Sequence, residues 1–290
     1  MIIAVASGKG GTGKTTVAIN LALSVNSTHL LFLDCDVEEP NAALFLHPTL
    51  DYQEQVGILI PQVDEAKCTA CGRCAEVCQF NAIAVVGQKV LVFPELCHGC
   101  GSCTLNCPES AITEVLNVTG VLESGSAGAI QFWQGVMNVG QAMATPIIHQ
   151  LKKRALGGLP PDGLAIIDIS PGAACPVVEA AHGADFCLMV TEPTPFGLHD
   201  LRIAVEVIRD ELHIPVGVVV NRDGVGDTGV DEYCAAEGIP ILMRIPLDRR
   251  IAEAYSEGIP LVEALPEYRA KFTQLYRQIT AHIGKNIMKE

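Results

Sequence analysis

Short apolar runs and amphipathic stretches alternate along most of the chain. Met1–Ala6 (MIIAVA) is brief, continuous and apolar, as a strand covered on both faces must be. Thr15–Val25 spaces Val17, Ile19, Leu21, Ala22 and Val25 as a helix does. His29–Asp34 (HLLFLD) reads as a second strand closing on an acid. The same kind of run returns at Leu164–Ser170, Asp185–Pro193, Ile214–Asn221 and Ile239–Pro246, with helical stretches at Gly197–Leu212 and Asp248–Glu257. Strand alternating with helix predicts an α/β fold built on a doubly wound, mostly parallel sheet. Glu267–Ile287 sets Phe272, Leu275, Ile279 and Ile283 on one helical face. Docking on the core is the first reading of that stripe and a membrane-surface helix the second.

The alternation breaks between about Gln62 and Glu114. Cys68, Cys71, Cys74 and Cys78 recur 29 residues later as Cys97, Cys100, Cys103 and Cys107, and Asn81-Ala82-Ile83 recurs as Ser110-Ala111-Ile112. A small two-fold α+β insert is expected at residues 62–115. It would divide a larger domain into segments 1–61 and 116–290.

Composition narrows the partners. The 290 residues carry a formal charge of −14, with 49% hydrophobic and 18% charged positions. That suits a globular core and argues against a broad basic face for nucleic acid. Met1–Ala6 is too short for a signal sequence, and no run of 18 apolar residues suggests a membrane span. A cytoplasmic location with no stable membrane insertion is the expectation. In a reducing compartment, 12 cysteines point to metal ligation rather than disulfides.

Residues 7–15 read SGKGGTGKT. Gly8, four residues, then Gly13-Lys14-Thr15 is the phosphate-binding loop pattern, with a strand before it and a helix after it. Gly8, Gly10, Gly11, Thr12 and Gly13 would turn backbone N–H groups onto phosphate oxygens. Lys14 would reach the β- and γ-phosphates, Thr15 would ligate Mg²⁺, and Thr16 would reach the α-phosphate. Acids for metal and water stand at strand ends: Asp34 and Asp36 after the second strand, and Asp168 before the turn Ser170-Pro171-Gly172.

With Lys9 ahead of the glycine pair, this loop resembles the deviant Walker A motif of the MinD/ParA/Mrp group of P-loop ATPases, relatives of the nitrogenase iron protein. Asp168-Ile169-Ser170-Pro171-Gly172, Thr191-Glu192-Pro193, Asn221 and IPLDRRIAEAYSEGIP extend the likeness outside the insert. The resemblance implies an ATP-dependent homodimer, or a heterodimer with a related ATPase. Lys9 would then act in trans on the partner's phosphates, Asp36 would polarise the attacking water, and Asp168 would sit beside Mg²⁺ and carry the γ-phosphate signal, with Asp34 supporting. Asn221 would hydrogen-bond the base while Pro246 and Leu247 pack around it. Asn221-Arg222-Asp223-Gly224 is not the guanine-reading Asn-Lys-x-Asp, so ATP is favoured over GTP.

Cys-x2-Cys-x2-Cys-x3-Cys, twice, is the bacterial ferredoxin spacing, in which the fourth cysteine of each run ligates the other cluster. Cys68, Cys71, Cys74 and Cys107 would hold one [4Fe–4S] cluster, and Cys97, Cys100, Cys103 and Cys78 the other. Zinc is the competing reading, but zinc ribbons pair Cys-x2-Cys units rather than two runs of four. His98 would tune or shield a cluster rather than ligate it. Of the remaining cysteines, Cys187 reads as a core residue of a strand and Cys234 as incidental in a helix. Cys175, seven residues after Asp168, is either a buried small residue or a ligand to a third cluster between two copies.

Three functions fit. The first is ATP-gated electron transfer to a redox partner protein. The second is ATP-dependent assembly or carriage of iron–sulfur or metal clusters, as the Mrp likeness implies. The third is a spatial-positioning ATPase of the MinD or ParA type, which the acidic charge weakens. No nucleophile elbow and no catalytic-zinc histidine motif is present.

Overall fold

The computed structural model describes residues 1–287, with side chains described to residue 284. Residues 288–290 of the second large segment lie outside the described residues. The chain begins with β1 (Ile2–Ala6), α1 (Lys14–Ser24), β2 (Leu30–Cys35), α2 (Ala43–Leu46) and β3 (Thr49–Val63). The cysteine-rich stretch holds α3 (Arg73–Glu76), β4 (Ile83–Val86), β5 (Lys89–Val92) and α4 (Ser102–Leu105). Then follow β6 (Ile112–Ala127), β7 (Ile130–Met137), α5 (Thr145–Leu156), β8 (Leu164–Ile169), α6 (Cys175–Ala181) and β9 (Phe186–Thr191). The chain closes with α7 (Pro195–Val205), β10 (Val216–Asp223), α8 (Gly229–Ala236), β11 (Ile241–Pro246), α9 (Arg249–Ser256), α10 (Leu261–Ala264) and α11 (Glu267–Ile287).

Nine strands form one sheet in the order β11-β10-β9-β1-β8-β2-β7-β6-β3. The pairings from β11 through β7 are all parallel, and only β6 and β3 add antiparallel pairs at one edge. The fold is the expected doubly wound, mostly parallel sheet. Period-two side-chain alternation serves its two helical layers. Ile3 and Val5 pack toward α1, α10 and α11, whereas Ala4 and Ala6 pack toward α5, α6 and α7. Tyr268, Phe272, Leu275 and Ile279 of α11 are buried on this core beside α1, which supports the docked reading of the terminal helix. Each such side chain contributes about 1.5–3 kcal/mol of burial.

The sequence pattern did not announce β3, β6 and β7. β3 and β6 pair from Thr49↔Ser126 to Val63↔Ile112, a long ribbon at the sheet edge. Most of β3 faces solvent, so its apolar period is weak. At the register shift between Val56 and Gly57 a Cβ on Gly57 would stand 1.9 Å from the Asn117 carbonyl oxygen, so only glycine fits. The Gly197–Leu212 helix also differs from expectation. It starts at Pro195, where Thr194 Oγ1 accepts from the Gly197 N–H at 3.1 Å, and its last turn widens into a π-helix at Glu206–Glu211.

Residues 64–111 sit at the tip of this ribbon. Their core is small: Cys74, Ile83, Cys103 and Ile112. The sequence repeat is also a backbone repeat. Ala70 and Gly99 (φ 55° and 65°), Gly72 and Gly101 (84° and 70°), and Asn81 and Ser110 (52° and 49°) share left-handed conformations at the same offset.

Candidate functional site

The glycine loop leaves β1 in the middle of the sheet, between β8 and β9, where open α/β sheets form their ligand crevice. Two glycines there are required. A Cβ on Gly8 would meet the Asp200 carbonyl oxygen at 2.2 Å, and Gly13 opens α1 with φ 90°. Gly172 N–H donates to the Ser7 carbonyl at 2.9 Å, so the Ser170-Pro171-Gly172 turn is tied to the loop.

Lys14, Thr15 and the acids meet at the loop's end. Lys14 Nζ lies 2.7 Å from Asp168 Oδ1 and 3.7 Å from Asp36 Oδ2. Thr15 Oγ1 donates to Asp168 Oδ2 at 2.6 Å. Asp34 is fully buried and accepts backbone N–H bonds from Asp36, Asn41 and Ala42 at 3.0–3.1 Å. Burial alone would pull Lys14 down, but Asp168 and then Asp36 outweigh it and hold the ammonium above its ordinary range. Asp36 is raised by burial, against the pull of Lys14. Burial, then the charge of Asp168, pushes Asp34 up to about 7, although its N–H partners favour the anion. A hydroxyl and carboxylates form the hard oxygen donor set that suits Mg²⁺, so Thr15, Asp36 and Asp168 would hold the ion directly or through water.

A cavity of about 400 Å³ opens beside them, within the range of small-molecule sites. Gly10, Gly11, Gly13, Lys14, Thr15 and Thr16 line one side, and Asn221, Pro246 and Leu247 another. Asn221 Nδ2 donates to the Thr12 carbonyl at 2.7 Å, so in this conformation its amide braces the loop. Lys9 is turned away from the cavity and pairs with Glu192 of its own chain at 3.2 Å, while Arg222 holds the other Glu192 oxygen. The sequence reading missed Glu192 as a partner of Lys9, and it missed Asn41, Ile251 and Tyr255 in the cavity wall. The α9 stripe was the available signal for the last two.

Asp34 yields a testable pH dependence. Its folded pKa lies above the unfolded carboxylate value, so the native state binds more protons between about pH 4 and pH 7. Stability of the nucleotide-free protein should therefore be highest at the acid end and be lost as pH rises through 7. Thermal melts are expected to fall by on the order of 5 °C across that window, and Asp34→Asn should flatten the slope. An equal slope in both proteins would refute the assignment.

The eight cysteines of the insert sort four and four. One cavity is lined by Cys68, Cys71, Cys74 and Cys107, and a second by Cys78, Cys97, Cys100 and Cys103. Backbone N–H groups of Ala82 and Ala111 donate to the sulfurs of Cys78 and Cys107 at 3.2 and 3.3 Å, and Gly99 N–H to Cys97 at 3.4 Å. Four sulfur donors at each cavity are the ligand set an iron–sulfur core takes, so the donor chemistry fits. Among the described residues no three His, Cys, Asp or Glu converge tightly enough to hold one metal ion. His98 stacks on Phe80 at 3.8 Å, at the rim of the second cavity. Outside the insert Cys35, Cys187 and Cys234 are buried, and burial pushes the Cys187 thiol up to about 12. Cys175 corrects the sequence reading. It is exposed at the start of α6, because the turn after Asp168 lifts it off the core, and so it is not a buried small residue.

Helix α5 lies between the ribbon and the Asp168 turn. Gln150 Nε2 donates to the Gly57 carbonyl at 2.9 Å, and Arg154 forks onto Glu54 at 2.6 and 3.0 Å. On the other side Lys152 Nζ donates to the Glu179 and His182 carbonyls at 2.6 and 2.7 Å, at the end of α6.

Fold and site together define a P-loop nucleotide-binding protein. The chain belongs to the CobQ/CobB/MinD/ParA nucleotide-binding domain family, which matches residues 3–261. An uncharacterized protein of Methanocaldococcus jannaschii is 33% identical over 260 residues, 89% of this chain and 90% of that protein. A Pyrococcus horikoshii protein named iron-sulfur cluster carrier protein is 25% identical over 311 residues, 98% of this chain and 89% of that one. The septum site-determining protein MinD of Pyrococcus horikoshii, solved with Mg-ADP, shares the fold with a TM-score of 0.57 at 20% identity, covering 96% and 95% of the two chains. Among the described residues no helix is long and apolar enough to cross a membrane.

Proposed function

We propose that this chain is a cytoplasmic, Mg²⁺-dependent ATPase that carries two [4Fe–4S] clusters and works in the assembly or delivery of iron–sulfur or other metal clusters. The carrying observation is the sorting of eight cysteines into two four-thiol cages on a ribbon continuous with the nucleotide-binding sheet. The names of relatives such as the Pyrococcus horikoshii carrier support delivery over electron transfer, which was the first sequence reading. Electron transfer stays as the second reading, because four thiols at each cavity suit resident clusters better than departing ones.

The coupling runs through α5. ATP would pull Lys14 and Thr15 away from Asp168, and the turn behind Asp168 leads into α6. Lys152 holds the end of α6, while Gln150 and Arg154 hold the ribbon beneath the cages. Closure of two copies on ATP, with Lys9 crossing to the partner's phosphates, would thus move the cages against a client protein.

Anaerobic purification with iron and sulfide counted per chain, and the electron-spin signal compared with and without ATP, tests the reading. Two cages require about eight irons, and a cluster shared between two copies through exposed Cys175 would bring the count to about ten. Delivery predicts ATP-stimulated transfer of iron and sulfide to an apo-ferredoxin, lost in Lys9→Ala while about eight irons remain. About eight irons, an ATP-sensitive signal and no transfer would favour electron transfer. Failure to take up Mg·ATP, or absence of cubane absorbance, would sink both.

A further inference from the structure

The insert contains its own control. Its two halves share sequence spacing and backbone conformation, so each surface position in one half has a counterpart 29 residues away in the other. Four exposed charged residues have large apolar counterparts. Asp64 corresponds to Phe93, Lys67 to Leu96, Glu76 to Leu105, and Glu109 to Phe80. The apolar members are themselves exposed: Phe93 39%, Leu96 50%, Leu105 85% and Phe80 39%. In the first half the charges pair, Lys67 with Asp64 at 3.3 Å and Arg73 with Glu76 at 2.8 Å. In the second half Phe93, Leu96 and Leu105 stand where three of those four charges were, and Ser102 where Arg73 was. Scattered apolar residues are ordinary on a protein surface. A set that displaces charge at four matched positions of one fold is not scatter, because the fold itself accepts charge there.

Phe80 and Leu96 stand at the second cage, and Leu105 closes the α4 turn that carries its Cys103. Phe80 lies against His98, and both line the cavity of Cys78, Cys97, Cys100 and Cys103. Leu96 directly precedes Cys97, and Leu105 lies between Cys103 and Cys107. The charge around them is one-sided. From Phe93 to Glu114 there is no lysine or arginine, whereas Glu95, Glu109 and Glu114 are present; Lys67, Arg73 and Lys89 all fall in the first half.

We infer that the face around the second cage is a docking surface for a protein that presents an apolar patch ringed by lysine and arginine. The inference rests on the cages being cluster sites, and it adds which cluster faces the client and what kind of surface the client offers. An apolar centre with an acidic border supplies close packing at the core and charge complementarity at the rim. A second copy of this chain is the wrong occupant of this face, because two identical acid-rimmed faces carry no basic border to meet the other's acids.

The probe is oxidised mitochondrial cytochrome c, whose exposed haem edge is ringed by lysines, titrated calorimetrically at low salt into the purified holoprotein. Leu96→Lys and Leu105→Gln should each weaken binding about tenfold. Lys67→Leu, at the matched position of the first half, should change it by less than about twofold. Leu96→Lys places at one position the residue its counterpart already carries, so folding is safe, and iron counts and visible spectra verify it. Equal effects of Leu96→Lys and Lys67→Leu, or none from either, would overturn the inference. So would concentration-dependent self-association in sedimentation that Leu96→Lys abolishes, which would make a second copy the occupant. A protein without cubane iron would fail the function proposed above; an iron-replete protein whose binding is indifferent to Leu96→Lys would fail the docking face alone.

Discussion

Lys14→Ala is expected to abolish ATP turnover, with loss of at least about 10²–10³-fold, the cost of removing one preorganised charge from a phosphoryl-transfer site. Lys14 is buried with its Nζ between Asp168 and Asp36, and Asp34 lies just behind. Without it three carboxylates share a desolvated corner with no cation to offset them, and an anionic triphosphate would have to enter against that charge. Nucleotide affinity should therefore fall along with turnover. Stability should follow the same logic. Asp34 and Asp36 already sit above the ordinary carboxylate range, and loss of the lysine raises them further. The variant should lose less stability near pH 5, where Asp34 is largely protonated, than at pH 8. Calorimetric titration with Mg·ATP and melts at both pH values check the two statements. Affinity within a few-fold of wild type would show that Lys14 does not face the phosphates.

Much of this corner is legible in the chain, since the loop, its strand and its helix are contiguous from Ile2 to Ser24. Asp34, Asp36 and Asp168 could be read because acids that end apolar strands of a parallel sheet gather at one edge. The ribbon could not be read. β3 is the edge strand with more than half of its residues exposed, and β6, paired on both sides, mixes polar and glycine residues into its covered positions, so no apolar period marks either. The Lys9–Glu192 pair is likewise silent in sequence, because it joins residues far apart through the neighbouring ends of β1 and β9. It bears on the trans role proposed for Lys9. That lysine must leave Glu192 before it can reach a partner, and Arg222, already on the other Glu192 oxygen, keeps the buried carboxylate compensated when it goes.

The crossed ligand sets provide the second large effect. The ferredoxin spacing predicts that the fourth cysteine of each run serves the other cage. The structure places Cys107 with Cys68, Cys71 and Cys74, and Cys78 with Cys97, Cys100 and Cys103. Double substitutions separate the alternatives. Cys68→Ser with Cys107→Ser removes two ligands of one cage, and about four irons per chain should remain. Cys68→Ser with Cys78→Ser takes one ligand from each cage, and iron should fall toward zero although both changes lie in the same run. If each run served its own cage, the two results would be exchanged. Structure should follow iron, because the insert's core is only a few side chains and two of them are proposed ligands, Cys74 and Cys103. Ligation energy then substitutes for apolar burial there. Losing one cage should loosen half of the insert, and losing both should unfold it. The nucleotide site lies on the large sheet with its own core, so Mg·ATP binding should survive in both doubles. Retained ATP affinity beside vanished iron would therefore locate the damage in the insert.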